Sequence, residues 1–345
     1  MKISICFPQY NRIEYLLKSL HYISQQTYEN LEVVVSDDCS TDDTEARIKA
    51  LQPVYRYPLI FKRNEQNQGY DRNYRQSIEL ATGEYCFILG NDDTLSEPPA
   101  MEYLAGFLQA QNYPDVGFCN YFEEQDPALV YRRANITGVL GTGYEVAMKN
   151  YSCFSFVAGL IYKRASFMRF NTPVYDGSVF AQLSLGCLMI AKGCNLFSIE
   201  KPLVMKDLLI KNLRTIGYRD TLAKTWKEYK KVDAGMPSVI NSLIRAFRDA
   251  GVLNQSIIYR IHRKIYGLTY PHWLLDYRSN KAYPEAVGLS KGMKPSGIVT
   301  YPLLSAWNKT RINLLYYTST VFGLTAPVYL YNKLKVRVYA FLKKR

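Results

Sequence analysis

Apolar positions in the first 120 residues switch repeatedly between two periods. Ile3–Phe7 is a short apolar run closed by Pro8, which predicts a buried strand. Ile13, Leu16, Leu17, Leu20 and Ile23 then mark one face of a helix. Leu31–Val35 reads as strand again, and Ser40, Thr41, Asp42 and Asp43 supply cap and first-turn residues for the next helix. Leu59–Phe61 predicts a third strand. Tyr74, Ile78 and Ala81 predict a helix stopped by Thr82-Gly83, and Tyr85–Leu89 a fourth strand. Pro98-Pro99 opens a helix carrying Met101, Leu104 and Leu108, and Asp115–Cys119 closes the series. Strands alternating with helices imply an α/β fold: a Rossmann-like, mostly parallel sheet with helices on both faces. Ligands of such sheets bind beyond the carboxyl ends of the strands.

The pattern loosens over residues 121–205, where Phe156–Tyr162 reads as a strand and Val179–Ala191 as a helix. Beyond Lys206 it is helical and basic, with Pro and Gly breaks. The expected division is the α/β domain at 1–205 and a basic, Tyr-rich helical region at 206–345.

Charge follows the same division. The net charge is +13, yet residues 1–100 hold ten Lys/Arg against fifteen Asp/Glu, and residues 286–345 hold ten Lys/Arg and no acid. Such a tail calls for an anionic partner. Leu314–Tyr331 is uncharged for 18 residues but contains Pro327 and several hydroxyls, so it reads as buried or interfacial rather than membrane-spanning. So long an uncharged stretch favours an anionic membrane surface over nucleic acid. Seven cysteines without a C-x-x-C pair, and only three histidines, argue against a zinc site and fit a reducing cytosol. The first eight residues are too short an apolar run for a signal peptide.

Three polar clusters fall just past predicted strands: Pro8-Gln9-Tyr10-Asn11-Arg12, Asp37-Asp38 and Gly90-Asn91-Asp92-Asp93. Adjacent carboxylates repel, and a hard cation such as Mg²⁺ or Mn²⁺ relieves the repulsion while leaving positions open for phosphate. Each acidic pair alone also suits an ordinary turn, and Asp93 suits a helix cap. All three together at strand ends point to a site. No G-x-G-x-x-G follows the first strand, no Walker loop is present, and Gly141-Thr142-Gly143 reads as a turn.

With these blocks side by side, Ile3–Arg12, Leu31–Thr44 (LEVVVSDDCSTDDT) and Gly69–Asp93 (GYDRNYRQSIELATGEYCFILGNDD) resemble the family 2 glycosyltransferases of GT-A fold. The last block is similar to the abequosyltransferase-like branch of bacterial O-antigen and capsule enzymes. The resemblance is strong over residues 1–120, weaker to 205 and poor beyond. It implies a nucleotide-sugar donor, with Pro8, Tyr10 and Asn11 at the base, and Asp37 and Asp38 at base or ribose. Arg72 and Asn91 would lie near the donor, and Asp92 and Asp93 would hold metal and diphosphate. Gly90 stands where the family's D-x-D-D usually has its first Asp, which leaves the number of metal-binding carboxylates open. The family's acceptor base precedes a helix; Asp176 is the only carboxylate in the matching Tyr175–Gln182, though it also suits the turn before Gly177. The acceptor implied is a polyprenyl-diphosphate-linked oligosaccharide at the inner face of the cytoplasmic membrane. Competing readings are a nucleotidyltransferase, for which the first loop lacks glycines, and a non-catalytic sugar- or nucleic-acid-binding module, which has no need of Asp92-Asp93.

Overall fold

The computed structural model describes residues 1–211 and 236–334. The chain divides into two compact units, Met1–Thr215 and Ile216–Arg345.

The first unit alternates as the pattern demands: β1 (Ile3–Gln9), α1 (Ile13–Ile23), β2 (Leu31–Asp37), α2 (Thr44–Leu51), β3 (Leu59–Arg63), α3 (Tyr70–Glu79) and β4 (Tyr85–Ile88). A two-residue β5 (Thr94–Leu95), α4 (Ala100–Ala110), β6 (Val116–Glu123), β7 (Asp126–Tyr131) and β8 (Gly138–Gly141) follow. The unit continues through α5 (Tyr144–Asn150), β9 (Leu160–Lys163), α6 (Arg164–Phe170), α7 (Ala181–Ala191) and β10 (Leu196–Lys206). The sheet order is β3-β2-β1-β4-β9-β6-β10-β5. β9 runs antiparallel to both β4 and β6, and β5 antiparallel to β10; the remaining strands on this path share one direction.

Helices cover both faces because successive side chains alternate across each strand. Ile3, Ile5, Phe7, Val33, Val35 and Phe87 share one core with Leu16 and Leu20 of α1 and Leu104 of α4. Cys6, Val34 and Cys86, one residue out of phase, are buried on the other face. There Tyr74 of α3 meets Phe167 of α6 edge-on at 6.3 Å, and Tyr162 of β9 meets the same ring at 5.1 Å.

Sequence and structure part between 121 and 206. The segment Phe156–Tyr162 is strand only from Leu160. Phe156 and Ala158 instead give their carbonyl oxygens to the buried Arg133, whose Nη1 also binds the Cys153 carbonyl and whose Nε binds that of Cys119 at 2.6 Å. A guanidinium has taken the place of a neighbouring strand. The long β10, the short β5, β7 and β8, and helices α5 and α6 are additions to the elements expected from periodicity.

The second unit is helical over its described residues: α8 (Met236–Asp249), α9 (Gln255–Lys264), a π-helical turn (Ile265–Thr269) leading into α10 (Tyr270–Ser279), α11 (Tyr283–Gly292) and α12 (Ala306–Thr325). Its core is mainly aliphatic, with three buried tyrosines packed together within it. Tyr266, Tyr270 and Tyr316 lie ring against ring at 5.9–6.1 Å. Their hydroxyls reach Met293 O, Thr320 Oγ1 and Ser290 O at 2.7–2.8 Å, so the rings are buried without stranding a polar group.

One buried carboxylate joins β1, β2 and the turn that leads into β4. Glu32 of β2 accepts from Ser4 Oγ of β1, the Thr82 N–H and the Thr82 hydroxyl, each at 2.6 Å, and pairs with Lys2. The Gly83 N–H donates to Ser4 Oγ at 2.9 Å, and a Cβ on Gly83 would lie 2.5 Å from that oxygen. Burial alone would raise the Glu32 pKa, but hydrogen bonds from Lys2, Ser4 and Thr82 outweigh it and hold the carboxyl down at about 2. A depressed folded-state pKa contributes stability that is complete above the unfolded value near 4.5 and drains away as pH falls toward 2. The contribution at neutral pH is on the order of 3 kcal/mol, with about half gone by pH 3. Glu32→Gln should therefore lower the urea midpoint clearly at pH 7 and much less at pH 3. An equal loss at both pH values would assign the effect to packing rather than charge.

Candidate active site

Because β1, β2 and β4 are parallel and in register, their following loops emerge together at one edge. β6 and β10 point the same way, with Glu123 opposite Lys206, so the residues after β10 reach that edge too.

The loop after β1 is held in a conformation few side chains favour. Asn11 and Arg12 both have left-handed backbones, φ 54° and 60°, which for non-glycine residues costs on the order of 1 kcal/mol each. Neighbours enforce it. The Asn11 N–H donates to Ser40 Oγ at 2.7 Å, and Asn11 Oδ1 accepts from the Thr41 N–H at 2.8 Å. Asp42 accepts from the N–H of Ile13 with one oxygen and of Thr44 with the other, both at 3.1 Å, so it caps α1 and α2 together. Ser40, expected among the cap residues, binds Asp37 and Asn11 instead. Pro8 is half-buried, and the Tyr10 ring is 44% exposed, open to a planar ligand.

Asp37 and Asp38 leave β2 in opposite directions. Asp37 accepts from the Ser40 N–H and hydroxyl and lies 3.6 Å from Arg63 Nε. Burial raises its pKa above the usual carboxylate range, against the pull of Ser40 and Arg63. Asp38 accepts from Asn64 Nδ2 at 3.0 Å and from the N–H groups of Gln68 and Gly69 at 2.8 and 2.9 Å. It thereby shapes the loop leading into α3. Arg72, on that helix, is bound to Glu79 at 2.7 Å. Its neighbour Asn73 accepts from Ser36 Oγ and donates to the Gln9 carbonyl, tying β2 to β1.

The acid pair after β4 is the most strained electrostatic feature. Asp92 Oδ2 receives Arg12 Nη1 at 2.7 Å, and the Asn91 side chain donates to the Tyr10 carbonyl at 3.3 Å. Asp93, 3% exposed, accepts the Asp207 N–H on Oδ1 at 3.2 Å rather than capping α4. The remaining oxygens, Asp92 Oδ1 and Asp93 Oδ2, would lie 3.3 and 2.6 Å from a Cβ on Gly90. Gly90 is therefore what lets both carboxylates pack at the strand end. Burial raises the pKa of Asp92, opposed by Arg12 and reinforced by Asp207. Burial, then the charges of Asp92 and Asp207, push Asp93 well above the ordinary range. Two converging oxygens with raised proton affinity suit a hard cation. Among the described residues, no three Asp, Glu, His or Cys side chains gather at metal-ligand spacing. A bound Mg²⁺ or Mn²⁺ would thus take two carboxylates here, and phosphate and water for its other positions.

Asp176 belongs to a different neighbourhood. Arg75, itself buried, holds its two oxygens at 2.8 and 2.5 Å and also binds Glu79 and Asn171 at 3.1 Å. These contacts run to the body of α3 rather than to the loops around Asp92. Beside it, Asp71 accepts the N–H groups of Val179 and Ala181 at 2.7 and 3.0 Å, closing the start of α7. Arg12 stood in the first polar cluster without a role of its own, and Asp207 is the residue here that sequence reasoning missed. Asp207 had a signal of the expected kind, since it follows the apolar run Leu203–Met205 as Asp92 follows Tyr85–Leu89.

With this geometry in view, the comparison with known proteins is direct. Residues 4–171 match the sequence model described as glycosyl transferase family 2. Over most of the first unit the chain is thus similar to the family 2 glycosyltransferases. The matched stretch runs from β1 through α6 and includes the acid pair after β4. Abequosyltransferase RfbV of Salmonella typhimurium is 34% identical over 230 residues, 59% of this chain and 66% of its own length. The GalNAc(5)-diNAcBac-PP-undecaprenol beta-1,3-glucosyltransferase of Campylobacter jejuni is 34% identical over 94 residues, 27% of this chain and 30% of its own. The chain thus spans slightly less than two thirds of the first relative and under a third of the second. Among solved structures, the S. aureus TarS fragment 1–349 has a TM-score of 0.54 at 16% identity, covering 93% of this chain and 91% of that one. The mannosyltransferase PcManGT of Pyrobaculum calidifontis, in complex with GDP-Man and Mn2+, has a TM-score of 0.55 at 17% identity, covering 94% and 87%. At such identities the likeness establishes the GT-A-like fold.

Gly90→Ala tests the packing of the acid pair. The added methyl should displace the Asp93 carboxylate and weaken binding of a nucleoside diphosphate with Mn²⁺ by about tenfold or more, while the thermal midpoint moves by only a few degrees. Unchanged calorimetric affinity would show that the position of the Asp93 carboxylate does not matter to the ligand.

Proposed function

We propose that the protein transfers a sugar from a nucleoside-diphosphate donor to a lipid-linked glycan acceptor, in bacterial O-antigen or capsule synthesis, with inversion at the anomeric carbon. The observation that carries this reading is the convergence of Asp92 and Asp93, countered by Arg12, at the strand edge where Tyr10 is exposed. Tyr10 and Pro8 would pack against the base, and Asn11 would hold the loop that presents them. Asp37 and Asp38, both already hydrogen-bonded, would act on base or ribose largely by shaping the pocket wall. Asn91 and Arg72 would border the donor. A divalent ion at Asp92 and Asp93 would offset the charge of the departing diphosphate. Arg12 is the side chain placed to add to that charge balance, because its bond to Asp92 keeps a guanidinium beside the phosphate position. The names of the two curated relatives, one an abequosyltransferase and one acting on an undecaprenol-linked glycan, support a surface-polysaccharide acceptor. Such an acceptor would bring the enzyme to the inner face of the cytoplasmic membrane. Among the described residues, no helix is long and apolar enough to cross a membrane.

Asp92→Asn and Asp93→Asn should each reduce transfer by roughly 10²-fold or more while leaving the unfolding midpoint near that of the parent, and excess chelator should do the same. Full turnover in the double variant would remove both the metal and the site. Nucleotide binding without transfer to any glycan would instead favour a nucleotidyltransferase or a binding module.

Asp176 is the proposed base for the acceptor hydroxyl, oriented by the two-pronged contact with Arg75. In that role Asp176→Asn lowers kcat by about 10²-fold or more at unchanged donor affinity. The ion pair also offers a purely structural role. A variant that loses several degrees of thermal stability and keeps its kcat would make Asp176 an anchor of α3 and place the base elsewhere.

A further inference from the structure

Helix α12 has two apolar faces and only one of them is covered. On the inner face, Ile312, Tyr316, Ser319 and Gly323 are buried, with Tyr316 against Tyr266 and Tyr270. A Cβ on Gly323 would meet the Leu274 side chain at 2.5 Å, so the two helices touch closely there. On the outer side Trp307, Leu314, Tyr317, Val321 and Phe322 are 70, 66, 59, 63 and 56% exposed. Their spacing places them along one stripe, about 22 Å long at the helical rise. Arg311 is exposed on the same stripe, one turn from Trp307 and from Leu314. A helix apolar on both sides is normally buried on both sides, and a contiguous exposed patch of large side chains marks a contact.

Charge distinguishes the occupants. Residues 286–345 carry ten Lys/Arg and no Asp or Glu. A second copy meeting this face would bring like charges together. A nucleic acid would satisfy the cations but leave the aromatic and aliphatic stripe in water. An anionic bilayer satisfies both: headgroups take the cations, and the acyl boundary takes the apolar chains. We infer that the outer face of α12 is a membrane-docking surface that lies in the headgroup–acyl boundary of an anionic bilayer, with its inner face still packed on the second unit. This deepens the proposed membrane location and rests on it only for the whereabouts of the acceptor.

The test uses the full chain and vesicles of phosphatidylcholine with or without 30% phosphatidylglycerol, an arbitrary working composition of about one anionic lipid in three. Expected results are flotation with the anionic vesicles alone, release by added salt, and a blue shift of tryptophan fluorescence that Trp307→Phe diminishes. The double variant Val321→Asp with Phe322→Asp, on a surface already exposed, should retain its circular dichroism and its transfer to a soluble acceptor fragment. It should lose at least tenfold in vesicle-bound fraction. Equal flotation of parent and double variant, or equal binding to neutral vesicles, overturns the proposal. So does a parent dimer that the double variant dissociates without any vesicle binding, which would make a second copy the occupant. Vesicle binding through this face by a chain that transfers no sugar would sustain this inference and defeat the glycosyltransferase reading, so the two fail separately.

Discussion

Carboxylate crowding at the end of β4 is the constraint around which the first unit is arranged. Two consecutive acids follow a fully buried strand, and Asp93 turns inward to 3% exposure. An ionised carboxylate in that position is costly without partners. The fold supplies three: the Asp207 N–H on Asp93, Arg12 on Asp92, and a glycine that leaves room for both. Each partner depends on something remote in sequence. Asp207 arrives because β10 runs parallel to β6, and Arg12 because two successive left-handed residues turn its side chain toward β4. The hydrogen bonds of Ser40, Thr41 and Asp42 hold that turn, and the register of β1 with β2 places those residues beside it.

The same logic explains Gly90 without treating it as a lost ligand. An Asp at that position would direct its side chain into the space where Asp92 Oδ1 and Asp93 Oδ2 already converge. A third adjacent acid would add repulsion to a pair whose pKa values are already raised. A reduced acidic motif and an arginine beside it are thus one arrangement.

Much of this unit was legible from periodicity because strand and helix periods differ and the early strands are uninterrupted. The helix Ile13–Ile23 and the placing of the polar clusters after β1, β2 and β4 follow from apolar spacing and strand-end polarity alone. What could not be read depends on contacts between distant segments. Residues 153–158 are organised by one buried guanidinium binding four carbonyl oxygens with Cys119 included, and no local pattern announces such a partner. Asp38 reads as a ligand-facing acid, yet its oxygens shape the turn before α3. Asp176 reads as an isolated carboxylate before a helix, while its partner Arg75 lies 101 residues away. A sequence shows where acids stand, but the assignment of each to ligand or scaffold is made by the donors that reach it.

The second unit solves a different problem with the same residue types. Tyrosines can join its aliphatic core because a ring can be buried while its hydroxyl finds a carbonyl or a threonine, as Tyr266, Tyr270 and Tyr316 do. That leaves α12 free to place its other large side chains outward, and it does so with Trp307, Leu314, Tyr317, Val321 and Phe322 instead of the charged residues that a water-facing helix would carry. The cations are not missing from the region; Lys309 lies over the Tyr301 ring and Arg311 over the Tyr259 ring, at 5.7 and 4.3 Å. Packing against aromatic rings holds these positive charges beside the apolar stripe, with Arg311 on the stripe itself. A surface meant only for water gains nothing from that arrangement, whereas a surface meeting a negatively charged, apolar-backed interface needs both components within one helix.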